Sequence, residues 1–220
     1  MRKQALILPE PPGDRRGETG SGPLLRLLIV GDSAAAGVGA NSQDQALLGQ
    51  LVIALGESFT VRWQLEARSG ATSLSALSDL KSTPACEFDV VTTSLGVNDI
   101  TSGARLDGWL RRQAELRDVL RLRFGVRLLV VAGLPPMHLF PGLPQPLRWH
   151  IGLRARQFDA ALEQDINTEP DCAYVSLNVS DDSSAMAADG FHPGPPIYTL
   201  WASLVADQVR KHFAPYTLNH

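Results

Sequence analysis

Leu24 to Ala40, LLRLLIVGDSAAAGVGA, decides how this chain is read. Leu24 to Val30 is apolar apart from one arginine, and the run breaks at Gly31-Asp32-Ser33. Small residues follow: Ala34, Ala35, Ala36, Gly37 and Gly39. This composition predicts a buried strand entering a tight turn, with a helix beyond it. The turn sets one polar side chain, Ser33, at the carboxyl end of the strand. Ligands of open α/β sheets bind at that edge. A serine there serves as a nucleophile when other loops supply a base and donors for an oxyanion.

The chain has 220 residues, 44% hydrophobic and 20% charged. That suits one globular domain with a full core. A net charge of −3 argues against broad electrostatic attraction to nucleic acid. Arg105, Arg111, Arg112, Arg117, Arg121, Arg123 and Arg127 cluster, but Asp107, Glu115 and Asp118 interleave with them. The pattern reads as a solvated helix face. Cys86 and Cys172 lie far apart, with no CxxC pair and no nearby histidine, so two reduced core thiols are expected and no zinc site is legible. The amino terminus has a basic start, a short apolar piece at Ala5 to Leu8, and then proline, glycine and charge. A signal-peptide core needs about 7–15 apolar residues, and a membrane span needs about 20. The expectation is a cytoplasmic protein without a transmembrane segment. It has a flexible tail over residues 1–22 and one domain over residues 23–220.

Periodicity predicts strands at Leu24–Val30, Phe59–Glu66, Phe88–Leu95, Val126–Ala132 and Ala173–Leu177. Helices are predicted at about Gln45–Gly56, Leu74–Lys81, Ala104–Phe124, Leu147–Thr168 and Pro196–Phe213. In the last of these, Ile197, Leu200, Trp201, Leu204, Val205 and Val209 follow the helical repeat. Strands alternating with helices predict a parallel sheet covered on both faces.

Four segments then meet at one edge, because the carboxyl ends of parallel strands lie together. They are Gly31-Asp32-Ser33, Ser69-Gly70-Ala71-Thr72, Gly96-Val97-Asn98-Asp99 and the late loop Ala188-Asp189-Gly190-Phe191-His192-Pro193. Their residue types are those that acyl transfer needs. Ser33 is the candidate nucleophile, and His192 the base that takes its proton and returns it. Asp189, three residues earlier, reaches the second imidazole nitrogen. The Ser33 N–H, near a helix start, the Gly70 N–H and the Asn98 amide are candidate oxyanion donors. Asp32 reads as a carboxylate that bonds its own turn, Asp99 as a support for the Asn98 loop, and Asp181 and Asp182 as weaker rivals to Asp189. His138, His150, His212 and His220 lack an aspartate three residues ahead. Gly37 and Gly39 read as turn geometry rather than a phosphate cradle.

These four blocks resemble those of the SGNH hydrolases, the GDSL-type esterases and lipases. The family's Ser, Gly, Asn and His map onto Ser33, Gly70, Asn98 and His192, and its GxND and DxxH motifs onto Gly96–Asp99 and Asp189–His192. The match spans residues 24 to 213. It departs in having Ala34 where the family usually has leucine. The resemblance implies a flavodoxin-like three-layer α/β/α sandwich with a five-stranded parallel sheet in order 2-1-3-4-5. It also implies hydrolysis of small to medium acyl esters or thioesters through an acyl-serine, with no metal and no cofactor. The partner is then a small-molecule ester. The loop from Leu134 to His150 leaves the fourth strand at the same edge, and Met137, Phe140 and Trp149 on it are the candidate substrate pocket. The other readings are an acyltransferase, a silent binding module of the same fold, and a flavodoxin-like binder of FMN or another phosphate. The last leaves Asn98, Asp189 and His192 without a task.

Overall fold

The strand that begins at Leu24 lies at the centre of the sheet, because it is apolar on both faces. In the computed structural model, which describes residues 6–177 and 183–217, Leu25, Leu27, Leu28, Ile29 and Val30 of this strand are all buried. Along the chain the strands are β1 (Arg16–Gly20), β2 (Leu24–Gly31), β3 (Thr60–Ala67), β4 (Val90–Ser94), β5 (Leu128–Ala132) and β6 (Cys172–Val175). Across the sheet they stand in the order β1-β3-β2-β4-β5-β6. All neighbours from β3 to β6 pair in parallel, and their order is the expected one.

Helices α1 (Leu47–Gly56) and α6 (Pro195–Thr217) cover one face, where Leu47, Leu51 and Leu55 pack with Trp201, Val205 and Val209. The other face carries α2 (Ser73–Ser82), the single short turn α3 (Val97–Thr101), α4 (Leu106–Phe124) and α5 (Leu147–Ile166). There Leu77 and Leu80 meet Leu116, Leu120 and Phe124. Trp109 of α4 lies against Phe158 of α5, with ring centroids 5.0 Å apart. This is the expected three-layer arrangement. No helix among the described residues is long and apolar enough to cross a membrane.

The sheet has six strands rather than the expected five, and other expectations change with it. The flexible tail over residues 1–22 contains β1, which pairs antiparallel with β3 from Arg16 opposite Gln64 to Gly20 opposite Thr60. Upstream of it, the Pro12 carbonyl accepts the Gln43 N–H at 2.9 Å, and the Glu10 carboxylate accepts the Ser69 N–H at 2.6 Å. An edge strand is wet on both sides, so it needs backbone partners rather than apolar side chains and has no hydrophobic signature. The five residues of α3 were too few to show a helical period. Cys86 and Cys172 are both free thiols, but Cys86 is exposed rather than in the core.

The arginine-rich helix is not wholly solvated either. Arg117 is 2% exposed. Its guanidinium donates to Asp165 at 2.6 Å and to Glu169 at 2.7 and 3.0 Å. Arg121 donates to Asp171 at 2.7 Å and also to Glu169. These bonds pin α4 to the end of α5 and the start of β6. Arg117→Ala is expected to lower the free energy of unfolding by about 3 kcal/mol, because it removes a packed side chain, takes the cationic partner from Asp165 and leaves Glu169 with Arg121 alone. Arg111, whose pair with Asp107 at 3.6 Å is exposed, should cost under about 0.5 kcal/mol when changed to alanine. Urea midpoints at constant m-value check this, and similar losses from the two variants would contradict the assignment.

Candidate active site

At the carboxyl end of β2 the backbone stays bonded to β4 for one more residue, the Asp32 N–H donating to the Ser94 carbonyl at 3.1 Å. A side chain on Gly31 would meet that same carbonyl at 2.7 Å, so glycine is needed for the close approach. The chain then coils: Ala36 N–H bonds the Asp32 carbonyl at 2.9 Å, and Val38 N–H bonds the Ser33 carbonyl at 3.0 Å. Ser33 is held at the head of this turn. The regular helix starts only at Leu47, so the turn's own amides, rather than a helix dipole, surround the serine. Gly37 and Gly39 have φ of +95° and +103°. Side chains there would strike Pro11, Ala46 and Ala187. The glycines therefore serve a turn packed against other loops, which leaves no phosphate cradle.

The last loop brings the base. Ala187 N–H bonds the His192 carbonyl, and Gly194 N–H bonds the Ala185 carbonyl, both at 2.9 Å, making a tight hairpin. At its tip Gly190 takes φ +63°. Asp189 Oδ1 accepts the backbone N–H groups of Phe191 (2.9 Å) and His192 (3.0 Å). Its Oδ2 lies 2.6 Å from His192 Nδ1. His192 Nε2 lies 2.9 Å from Ser33 Oγ. The structure thus joins Ser33, His192 and Asp189 in one hydrogen-bonded line. Burial pushes the Asp189 carboxyl up, but the His192 amide and imidazole and the Phe191 amide outweigh it and hold it below the usual carboxylate range. An ionised Asp189 fixes the proton on Nδ1 and leaves Nε2 as the acceptor facing the hydroxyl.

Asp32 is placed otherwise. Its Oδ1 accepts the Ala34 N–H at 3.0 Å within its own turn. Burial pushes it up to about 7 against these backbone bonds. Asp99 accepts both the N–H and the hydroxyl of Ser73, at 2.9 and 3.1 Å, and so ties the α3 turn to the start of α2. Asp181 and Asp182 lie outside the described residues.

Asn98 donates one amide hydrogen to the Ala71 carbonyl at 2.9 Å, which leaves its second hydrogen free. The bond holds Asn98 against the Gly70–Ala71 turn. Gly70 has φ +77°, and a side chain there would meet nothing within 4 Å. Backbone conformation, not crowding, therefore calls for glycine. The N–H groups of Ser33 and Gly70 have no acceptor among the described residues. Three donors on three loops are thus available to an anion.

Beside Ser33 and His192 lies a cleft of about 50 Å³, walled by Ala34, Val97, Pro135, Phe140, Phe191 and Ile197, with Trp201 and Asp32 deeper. Phe191 stands edge-on to Phe140 at 5.6 Å and to the His192 ring at 5.2 Å. Of the three expected pocket residues, only Phe140 lines the cleft. Met137 is fully buried in the core, and Trp149 is exposed outside the cleft. Phe191 lay in plain view inside the Asp189–His192 motif. Val97, Pro135, Ile197 and Trp201 come from three separate segments and carry no local signal for the cleft.

A parallel sheet carrying a hydroxyl, imidazole and carboxylate in line at its carboxyl edge is the arrangement expected of an SGNH-type hydrolase. Solved structures share the fold. One is the psychrotrophic esterase EstA from Pseudoalteromonas, at 18% identity over 86% of this chain and 98% of that one, with TM-score 0.63. Another is a carbohydrate acetylesterase family member from Sinorhizobium meliloti, at 17% identity over 86% and 98%, with TM-score 0.63. A third is TesA, at 22% identity over 85% and 99%, with TM-score 0.59. No curated protein sequence matches the chain significantly. The chain belongs to the GDSL-like lipase/acylhydrolase family, whose model matches residues 29–200.

Proposed function

We propose that this protein is a serine carboxylester hydrolase that cleaves acyl esters or thioesters through an acyl-enzyme. The observation that carries the reading is the unbroken line from Ser33 Oγ to His192 Nε2 at 2.9 Å and from His192 Nδ1 to Asp189 Oδ2 at 2.6 Å. In this reading Ser33 Oγ attacks the acyl carbon while His192 Nε2 takes its proton. The carbonyl oxygen becomes an oxyanion that the Ser33 N–H, Gly70 N–H and Asn98 amide receive. Each such donor contributes about 10²–10³ in rate. The tetrahedral intermediate collapses, and His192 returns the proton to the departing alkoxide or thiolate. Water then repeats the sequence on the acyl-serine, with His192 again as base.

Cleft size supports short acyl groups. A water-sized group occupies about 10–15 Å³ on the same measure, so 50 Å³ takes roughly three to five such groups. Acetyl to butyryl chains fit that range, and longer chains must leave by the mouth. The test is covalent labelling. A fluorophosphonate is expected to add once, with the mass increase on the peptide that holds Ser33. An unlabelled protein, or a label elsewhere, would sink the proposal.

A further inference from the structure

Between Ala132 and Gln157 the chain contains no Asp or Glu, yet it carries Arg148, Arg154, Arg156, His138 and His150. In a protein of net charge −3 this is a local basic surplus. Large apolar side chains stand out of the same segment into water. Leu139, Leu147, Trp149 and Leu153 are 38, 47, 61 and 45% exposed. On α5, Trp149, Leu153 and Arg156 follow at i, i+4 and i+7 and share one face. That face lies opposite the buried Ile151, Ala155, Phe158 and Leu162. Arg154 is occupied by the Ile100 and Ala104 carbonyls and Arg148 is half-buried with its Nε out of water, but Arg156 is exposed and meets no carboxylate among the described residues.

The segment also reaches the cleft. Pro135 and Phe140 line it, and the Gly142 N–H donates to the Gly190 carbonyl at 2.9 Å, beside Asp189. The segment that carries this face therefore also supplies part of the cleft wall.

We propose that this face docks on an anionic lipid surface and turns the cleft mouth toward it. Tryptophan pairs an apolar ring with an N–H and settles at the boundary between headgroups and acyl chains. Leucines beside it add buried apolar area, and the exposed Arg156 adds attraction to anionic headgroups. A second copy of this chain fits worse. A two-fold contact would set Arg156 near its own image with no carboxylate between the two. Docking is independent of the hydrolase reading, whereas delivery of an ester from the layer to Ser33 rests on it.

The test is sedimentation of the full chain with phosphatidylcholine vesicles, with and without about 30% phosphatidylglycerol. Binding is expected to be at least about tenfold tighter with the anionic lipid, and to weaken about tenfold from about 50 to about 500 mM salt. Tryptophan emission should shift to the blue on binding, and Trp149→Phe should remove that shift. Leu153→Ser with Arg156→Glu should weaken binding by about tenfold or more. That double variant should keep its melting temperature and its rate on a water-soluble ester. Equal binding to neutral and anionic vesicles, or a double variant that binds like wild type, would overturn the proposal. So would a solution dimer that the double variant dissolves while vesicles leave the wild type free. If the wild type proves unable to cleave any ester, the melting temperature still certifies the variant's fold, and the binding result still decides the docking.

Discussion

Ser33→Ala is expected to lower kcat/KM for p-nitrophenyl acetate and butyrate by about 10⁴-fold, with the melting temperature nearly unchanged. The hydroxyl is the only group that the line from Asp189 through His192 presents to a substrate. Without it His192 still has its carboxylate but no nucleophile to activate. Residual activity would come from the Gly70 and Asn98 donors and from the Ser33 backbone amide, which alanine retains. The packing cost is small, because Ser33 is only half-buried and its Oγ has His192 as its bonded neighbour. Activity of the variant within a factor of about ten of wild type would reject Ser33 as the nucleophile.

Asp189→Asn is the second large effect, a loss of about 10³–10⁴-fold in kcat. Asparagine keeps the shape and can still accept the Phe191 and His192 amides through its oxygen. Its NH₂ then faces His192 Nδ1, which favours the tautomer carrying the proton on Nε2. That nitrogen can no longer accept the Ser33 proton. The informative comparison is Asp32→Asn, which touches the Ala34 amide rather than the imidazole. It should keep kcat within about tenfold of wild type, since no proton transfer passes through it. Steady-state kinetics on both variants, each checked for folding by circular dichroism, reads the outcome. A larger loss from Asp32→Asn than from Asp189→Asn would reverse the assignment of the two carboxylates.

Much of this site was legible before any fold was drawn. Ser33, Gly70, Asn98 and His192 each follow an apolar run or a turn signal, and parallel strands must deliver their carboxyl ends to one edge. Its three-residue spacing from His192 points to Asp189, and the 2.6 Å contact agrees with that spacing. No helix start lies beside Ser33: α1 begins at Leu47, and the serine sits in a coiled turn instead. Close approach does not demand glycine at position 70; its φ of +77° does. Apolar character in a long loop points Met137 and Trp149 toward the pocket. One is buried in the core and the other faces water, because a side chain's environment depends on which way its turn rolls against α5.

Local pattern alone determined the alternation of strands and helices, the central place of Leu24–Gly31 and the polar residues gathered at one edge. Those properties follow from hydrophobic periodicity and turn chemistry, which act over a few residues. Partners distant in sequence decided the rest. The strand at Arg16–Gly20 exists because β3 offers its free backbone edge. Arg117 is buried because Asp165 and Glu169 come to meet it from another helix and its following turn. The cleft beside Ser33 takes its shape from segments between Ala34 and Trp201. Burial and pairing of this kind are set by contacts between elements, and no single stretch of the chain contains both sides of the contact.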